Sequence, residues 1–469
     1  AWCGWHFYNQ PLARADRLLI QARQSLASGD LAAAETSAAA ALDLNTSLFQ
    51  AAFLAADCAV EQGEYSRAIE YAGRVKTENV ELQLRALLMV ARLTDYELHR
   101  MADAESAWRS VLAFAPSHFE ASSELARLLF RSDRRSEAIP VALNLIRSGY
   151  ATDLIVLMGS SAASVDDQAE LEKARATDPG DTRPLTGLAL LASVQGRNDD
   201  SISLLRHAIA IDPKDVFAQA ALGQRLLDGG NVDLLDSWQK SLPEQAETLS
   251  GVWVVLGKMA DARADTDGAI RCYWEACLRE PESLTANSRL ARLLAEKGRT
   301  AESELFAERV RLLGKVVSAR GRILSSGDSP AVGSLLELAR HLEAVGQFHE
   351  ACGWCVFAVE KDPDHVEARQ MAARLRHELT REKAQRTGDQ FHLAKKIDLS
   401  AFPRPSFQRI ARKVTRPEAA TSARLSFRDE SEEVGLTFRY CNGAPGEKSP
   451  MMYDFTGGGI GVLDYDLDG

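Results

Sequence analysis

GEYSRAIEYAGRV at residues 63–75 and GQFHEACGWCVFAVEKDP at residues 346–363 decide the fold. In each, a glycine opens a run whose apolar residues recur at spacings of three and four, as on the buried face of an amphipathic helix. Working outward, small residues stand at Ala22 and Ala56, and again at Ala189, Gly223, Gly257 and Ala291, with neighbours in each run 34 apart. Seven residues downstream, in the same phase, come Gly29, Gly63, Gly196, Gly230 and Gly298, and five further on Ala34, Ala68 and Ala269; Ala104 and Ala138 form another pair at this spacing. A small residue in each of two successive helices lets them approach closely, glycine turns the chain between them, and proline stops the second, as at Pro116, Pro179, Pro213, Pro281 and Pro363. Each unit is therefore expected to be a helical hairpin.

With this 34-residue pattern on the page, the sequence resembles the tetratricopeptide repeat (TPR) family. The resemblance implies a mostly α fold, a right-handed α-solenoid of about ten hairpins over residues 15–380, with an insertion near 318–331. The pattern weakens at 148–181, where Asp167 stands at the expected alanine, and at 231–249, where Leu235 does.

The remaining composition narrows the function classes. The 469 residues carry 55 basic and 66 acidic side chains, a formal charge of −11, whereas phosphate neutralisation needs a basic excess, so nucleic acid is not expected as a partner. Residues 1–8 hold two tryptophans and a tyrosine and no Asp, Glu, Lys or Arg; residues 1–14 read either as the remnant of a membrane anchor preceding this chain or as an aromatic first turn packed on the next helix. Elsewhere the longest uncharged apolar stretch, near residues 154–165, falls well short of the ~20 residues of a spanning helix. Residues 381–424 hold eleven basic residues against four acidic ones and are broken by Pro403, Pro405 and Pro417, which suggests a linker strapped over the end of the acidic solenoid, with binding to an anionic surface as the alternative.

From Phe427 the character changes again. Gly457, Gly458 and Gly459 precede Asp464-Tyr-Asp466-Leu-Asp468-Gly469, and aspartates at alternate positions before a glycine aim three carboxylates at one hard cation. With Phe427, Asp429, Gly435, Leu436, Phe438, Asn442 and Gly443, this resembles the opening of a calcium-binding β-propeller of the FG-GAP/VCBS type, as in ASPIC/UnbV proteins related to cartilage acidic protein. The resemblance implies a short β segment, with the first propeller strands in 425–469. It also implies an incomplete calcium site at Asp464, Asp466 and Asp468, which only a longer chain completes, and no other cofactor. A membrane-anchored envelope or extracytoplasmic placement is favoured over the cytoplasm.

No catalytic residues are expected: the sequence contains no His-Glu-x-x-His, no phosphate loop and no Gly-x-Ser-x-Gly elbow. Cys352 and Cys355 form a Cys-x-x-Cys, but inside a helical repeat rather than a βαβ unit, so core packing is favoured over redox chemistry. The groove of such a solenoid is lined by first helices, and the position after the small residue, which faces it in this family, holds Arg127, Lys258, Arg292, Arg340 and Arg374. These read either as a basic ladder for a protein or peptide partner, an acidic one by charge, or as a solvated face. The function expected is a non-enzymatic protein-interaction scaffold. The alternative is an envelope structural or adhesion protein in which the propeller is the functional end and the solenoid a spacer.

Overall fold

Glycine 29 shows how the repeat is built. In the computed structural model, which describes residues 2–148, 155, 158, 166–325, 330–379 and 386–404, Gly29 has φ +82° between helices α1 (Trp2–Ala27) and α2 (Leu31–Leu44). The left-handed turn brings the Asp30 N–H to the carbonyl of Ser25 at 2.9 Å, a Schellman closure of the first helix. The same bond recurs at every such turn carrying glycine, for example Asn231 to Leu226 and Gln347 to Leu342, both 2.9 Å. The period in the sequence is thus the period of one hydrogen-bonded turn.

The hairpins follow in chain order. They are α3 (Phe49–Glu61) with α4 (Tyr65–Gly73), α5 (Val80–Arg92) with α6 (Met101–Phe114), and α7 (Phe119–Arg131) with α8 (Arg135–Arg147). After α9 (Asp166–Thr177) come α10 (Arg183–Val194) with α11 (Asn198–Ile211) and α12 (Val216–Asp228) with α13 (Val232–Ser241). Then follow α14 (Ser250–Ala262) with α15 (Thr266–Arg279), α16 (Leu284–Glu296) with α17 (Thr300–Ser325), and α18 (Val332–Ala344) with α19 (Phe348–Lys361). Helix α20 (Val366–Leu379) and the short α21 (Leu393–Lys396) complete an α-solenoid of helical hairpins without β-strands among the described residues. Residues Ala1–Arg409 form one compact unit; the second, Ile410–Gly469, with the expected β segment and calcium ligands, lies outside the described residues.

The small residues pack as the close helix approach requires. Ala22, Ala34, Ala56, Ala68, Ala104, Ala138 and Ala269 are fully buried. A Cβ added at Gly257 would lie 2.7 Å from the ring of Tyr273 in the partner helix, and one at Gly223 would collide with Trp238. Helix α17 runs on to Ser325 with Val316, Ala319 and Ile323 buried, so the first half of the segment read as an insertion is a helical extension that joins the core. Helix α1 starts inside the stretch considered for an anchor remnant, and among the described residues no helix is long and apolar enough to cross a membrane.

Contacts beyond nearest neighbours close the array. Asp181 accepts the Ala102 N–H at 3.0 Å, and Thr186 donates to the Ser132 carbonyl at 3.0 Å, so α10 docks on the third and fourth hairpins. Glu105 on α6 receives Arg109, Arg134 and Arg183, the last from 78 residues away at 2.8 Å. Helix α19 packs on α8, where Gly353 leaves room for Ile146 and Ile155. One hydrophobic core therefore takes in residues of α5–α10 together with the end of α17 and helices α18–α20.

Among the described residues, three turns adopt the left-handed conformation without glycine: His99, Asp133 and Ala264, with φ between 51° and 59°. An L-residue there is strained by about 1–2 kcal/mol, part of which glycine recovers. Ala264→Gly is expected to stabilise the fold by about 0.5–1 kcal/mol, measured as a raised urea midpoint at unchanged slope. Asp133 adds an electrostatic cost. Burial pushes its carboxyl up to about 6, against the pull of Arg135 and Arg225. A folded value above the unfolded one makes the ionised form the unfavourable one, so stability is lost as pH rises through about 6 and regained below about 4. Asp133→Asn, which keeps the shape and tolerates the turn, is expected to stabilise by about 1–2 kcal/mol at pH 8 and by nearly nothing at pH 4.

Candidate functional site

The residues of the expected ladder all sit on first helices: Arg127 on α7, Lys258 on α14, Arg292 on α16, Arg340 on α18 and Arg374 on α20. The four arginine side chains are 41–51% exposed, and Lys258 is part-buried. Three of the arginines bridge consecutive first helices. Arg292 reaches both carboxylate oxygens of Asp261 on α14 at 2.7 Å, Arg340 pairs with Glu367 on α20, and Arg374 takes Glu343 on α18 at 2.6 and 2.9 Å. Arg127 faces Glu124 on its own helix at 3.8 Å.

The row of such bridges is longer than the ladder. Arg85 meets Asp57 at 3.1 Å, Arg92 takes Glu120 through two nitrogens at 2.6–2.7 Å, and Arg289 meets Asp261 at 3.2 Å. Arg92 and Arg340 hold the carboxyls of Glu120 and Glu367 below the usual range, mainly through their hydrogen bonds. Each exposed pair contributes about 0.2–1 kcal/mol, little enough for a ligand to replace it. The sequence does carry the missed half of the row. The carboxylates lie 27–31 residues from their arginines, one repeat less the offset across a helix face.

A second cluster is buried. Glu350, 1% exposed, receives Arg320 at 2.8 Å and Arg386 at 2.7 Å, and Arg386 also reaches Glu282 at 3.0 Å. From Arg386 the chain runs as a strap over the second helix α15. The Trp274 indole N–H donates to the carbonyls of Ala394 (3.0 Å) and Ile397 (2.8 Å), and Arg271 donates to those of Ser400 and Phe402. Phe391 stacks edge-on against Phe348 at 5.6 Å, and Arg404 lies over the Trp253 ring and pairs with Glu247. Ile397 and Leu399 enter the core formed by α10–α17.

A polar cleft of ≈ 510 Å³ opens where the third hairpin departs from the repeat, its turn replaced by a π-helical stretch, Leu93–Glu97, and left-handed His99. Asp95 accepts the Trp108 indole N–H at 2.8 Å, and burial raises its carboxyl above the ordinary value. His99 and Lys173 both meet Glu170, at 3.1 and 3.2 Å, and Glu97 accepts from Tyr65. The cleft satisfies its own charges. Among the described residues no His, Cys, Asp and Glu side chains gather so as to hold a metal ion.

Cys352 and Cys355 face the core of α19 at 0% exposure. Burial raises both thiols, Cys355 to about 12, which disfavours the thiolate that exchange chemistry needs. Asp464, Asp466 and Asp468 lie outside the described residues.

A tetratricopeptide repeat family model matches residues 21–78, from the end of α1 through α4. No curated protein matches the sequence. Among solved structures, the chain is similar to the APC/C hetero-tetramer Cut9–Hcn1, with 12% identity and a TM-score of 0.32, over 77% of this chain and 96% of that one. It is also similar to Pseudomonas aeruginosa pilF, at 14% identity and 0.29 over 52% and 99% of the two chains, and to yeast Tom70, at 12% and 0.27 over 83% and 94%.

Proposed function

We propose that the chain is a non-enzymatic scaffold that binds a protein or peptide along its first helices. The observation that carries this reading is the row of half-exposed arginine–carboxylate bridges running from helix to helix, Arg292–Asp261, Arg340–Glu367 and Arg374–Glu343 among them. Such a face offers guanidiniums whose present partners are weakly held, so a ligand carboxylate can exchange with the internal one without leaving a buried charge. The arginine forks fix the geometry of a bound carboxylate, and their like charge repels a basic partner.

The test uses a fluorescein-labelled peptide of glutamates at low salt. Arg292→Ala/Arg340→Ala is expected to weaken its binding by about fivefold or more, with the difference shrinking as salt is raised and the Debye length falls below about 10 Å. An affinity unchanged in the double variant returns these residues to the role of a solvated, self-paired face.

A further inference from the structure

The strap is held in the manner of a ligand. On α15, Arg271, Trp274 and Leu278 follow one another at spacings of three and four, a single stripe on one helix face. Two side chains of this stripe capture four main-chain carbonyls of the strap, Trp274 those of Ala394 and Ile397, Arg271 those of Ser400 and Phe402. The carbonyl of Leu278 meets the His392 ring at 3.2 Å. Contacts to main chain read the path of the backbone, and Ile397 and Leu399 anchor it in the core. Specificity sits at one end, in the socket where Glu282 and Glu350 hold Arg386, with Phe348 beside it receiving Phe391.

We propose that this stripe and socket form a docking track for an arginine-bearing segment of another protein that follows the turned path of the strap, and that residues 386–404 occupy it as a built-in competitor. The track lies on a second helix, away from the row of bridges on the first helices, so the proposal stands or falls independently of the groove reading. The partner's signature is an arginine about eight residues ahead of the stretch whose carbonyls meet Trp274, the separation between Arg386 and Ala394. An aromatic between them fits beside Phe348. A tethered strap competes at the high local concentration of its own linker, so a free peptide binds the intact chain poorly.

The test uses the full chain and a fluorescein-labelled peptide with the sequence of residues 386–404. Ile397→Asp/Leu399→Asp in the chain disfavours docking of its strap and leaves Arg271, Trp274, Glu282 and Glu350 in place. The peptide is expected to bind this variant at least about tenfold more tightly than the wild-type chain. Adding Trp274→Phe to the same variant removes the N–H but keeps an aromatic ring, and it is expected to weaken the peptide about tenfold. Equal affinity for wild type and the strap variant, or indifference to Trp274→Phe, overturns the proposal.

A second measurement needs no variant. In the wild-type chain, strap amides are expected to exchange hydrogen at least about tenfold faster than those of α15, because a competitor has to leave without unfolding its track. Exchange of both at one rate would make the strap a fixed part of the fold and would equally overturn the proposal.

Discussion

Replacing Glu105 by alanine is expected to cost about 3–5 kcal/mol of stability, the usual result of stripping one partner from a buried ion pair. Its carboxylate is 7% exposed and meets Arg109, Arg134 and Arg183, of which Arg134 and Arg183 are themselves 14% and 29% exposed. Burial opposes its ionisation, yet the hydrogen bonds from Arg134 and Arg183 outweigh that and hold it at about 2. A folded value below the unfolded one means that its contribution is complete above about pH 4.5 and is lost as pH falls through about 2. Glu105→Ala should therefore lower the urea midpoint strongly at pH 7, and its deficit relative to wild type should narrow below about pH 4. A loss under about 1 kcal/mol at pH 7 would mean that the cluster behaves as a solvated surface pair.

Arg386→Ala is expected to match that cost by the opposite route, leaving carboxylates rather than guanidiniums without a partner. Glu350, 1% exposed, would keep Arg320, while Glu282, 11% exposed, would lose the guanidinium it meets at 3.0 Å. Burial works against the charge on Arg386, but Glu350 and Glu282 raise its affinity for the proton well above the ordinary value. Lysine should recover little. Arg386 engages two carboxylates through separate nitrogens of a rigid fork, and an ammonium presents a point charge that cannot span them in the same way. The expected readout is a loss of about 3–5 kcal/mol for alanine and more than half of that for lysine, by urea denaturation. Full rescue by Arg386→Lys would show that charge alone, not the fork, holds the cluster.

The hairpins were legible because each one writes its own turn and its own close contact into the sequence: Gly29, Gly63 and Gly298 have the backbone conformation their spacing implied, and Ala34, Ala68 and Ala269 are buried where it placed them. What the pattern cannot express is contact between repeats that are not neighbours. Glu105 and Arg183 belong to units that a one-dimensional reading keeps apart, and nothing about residues 386–404 as a string says that Trp274 will hold their carbonyls. The candidate groove was half legible for the same reason. Arg292, Arg340 and Arg374 stand out at one register, while Asp261, Glu367 and Glu343 become their partners only once consecutive first helices lie side by side. The cleft at Asp95 escaped because it is built where unit three abandons the pattern.

The packing of α19 on α8 bears on how the chain reaches this state. An open row of hairpins can nucleate anywhere and lengthen by adding neighbours, each step closing only a short loop. Here Gly353 has to find Ile146 across a stretch of about two hundred residues, and that contact rewards the chain only after most of the intervening entropy has been spent. The last hairpin therefore belongs to a late folding event that locks units already formed, and the helices that share this core, α5–α10 and α18–α20, are expected to unfold together. A chain released from synthesis before α19 is complete would hold α8 with part of its core uncovered, an apolar surface exposed for as long as the remaining residues take to arrive.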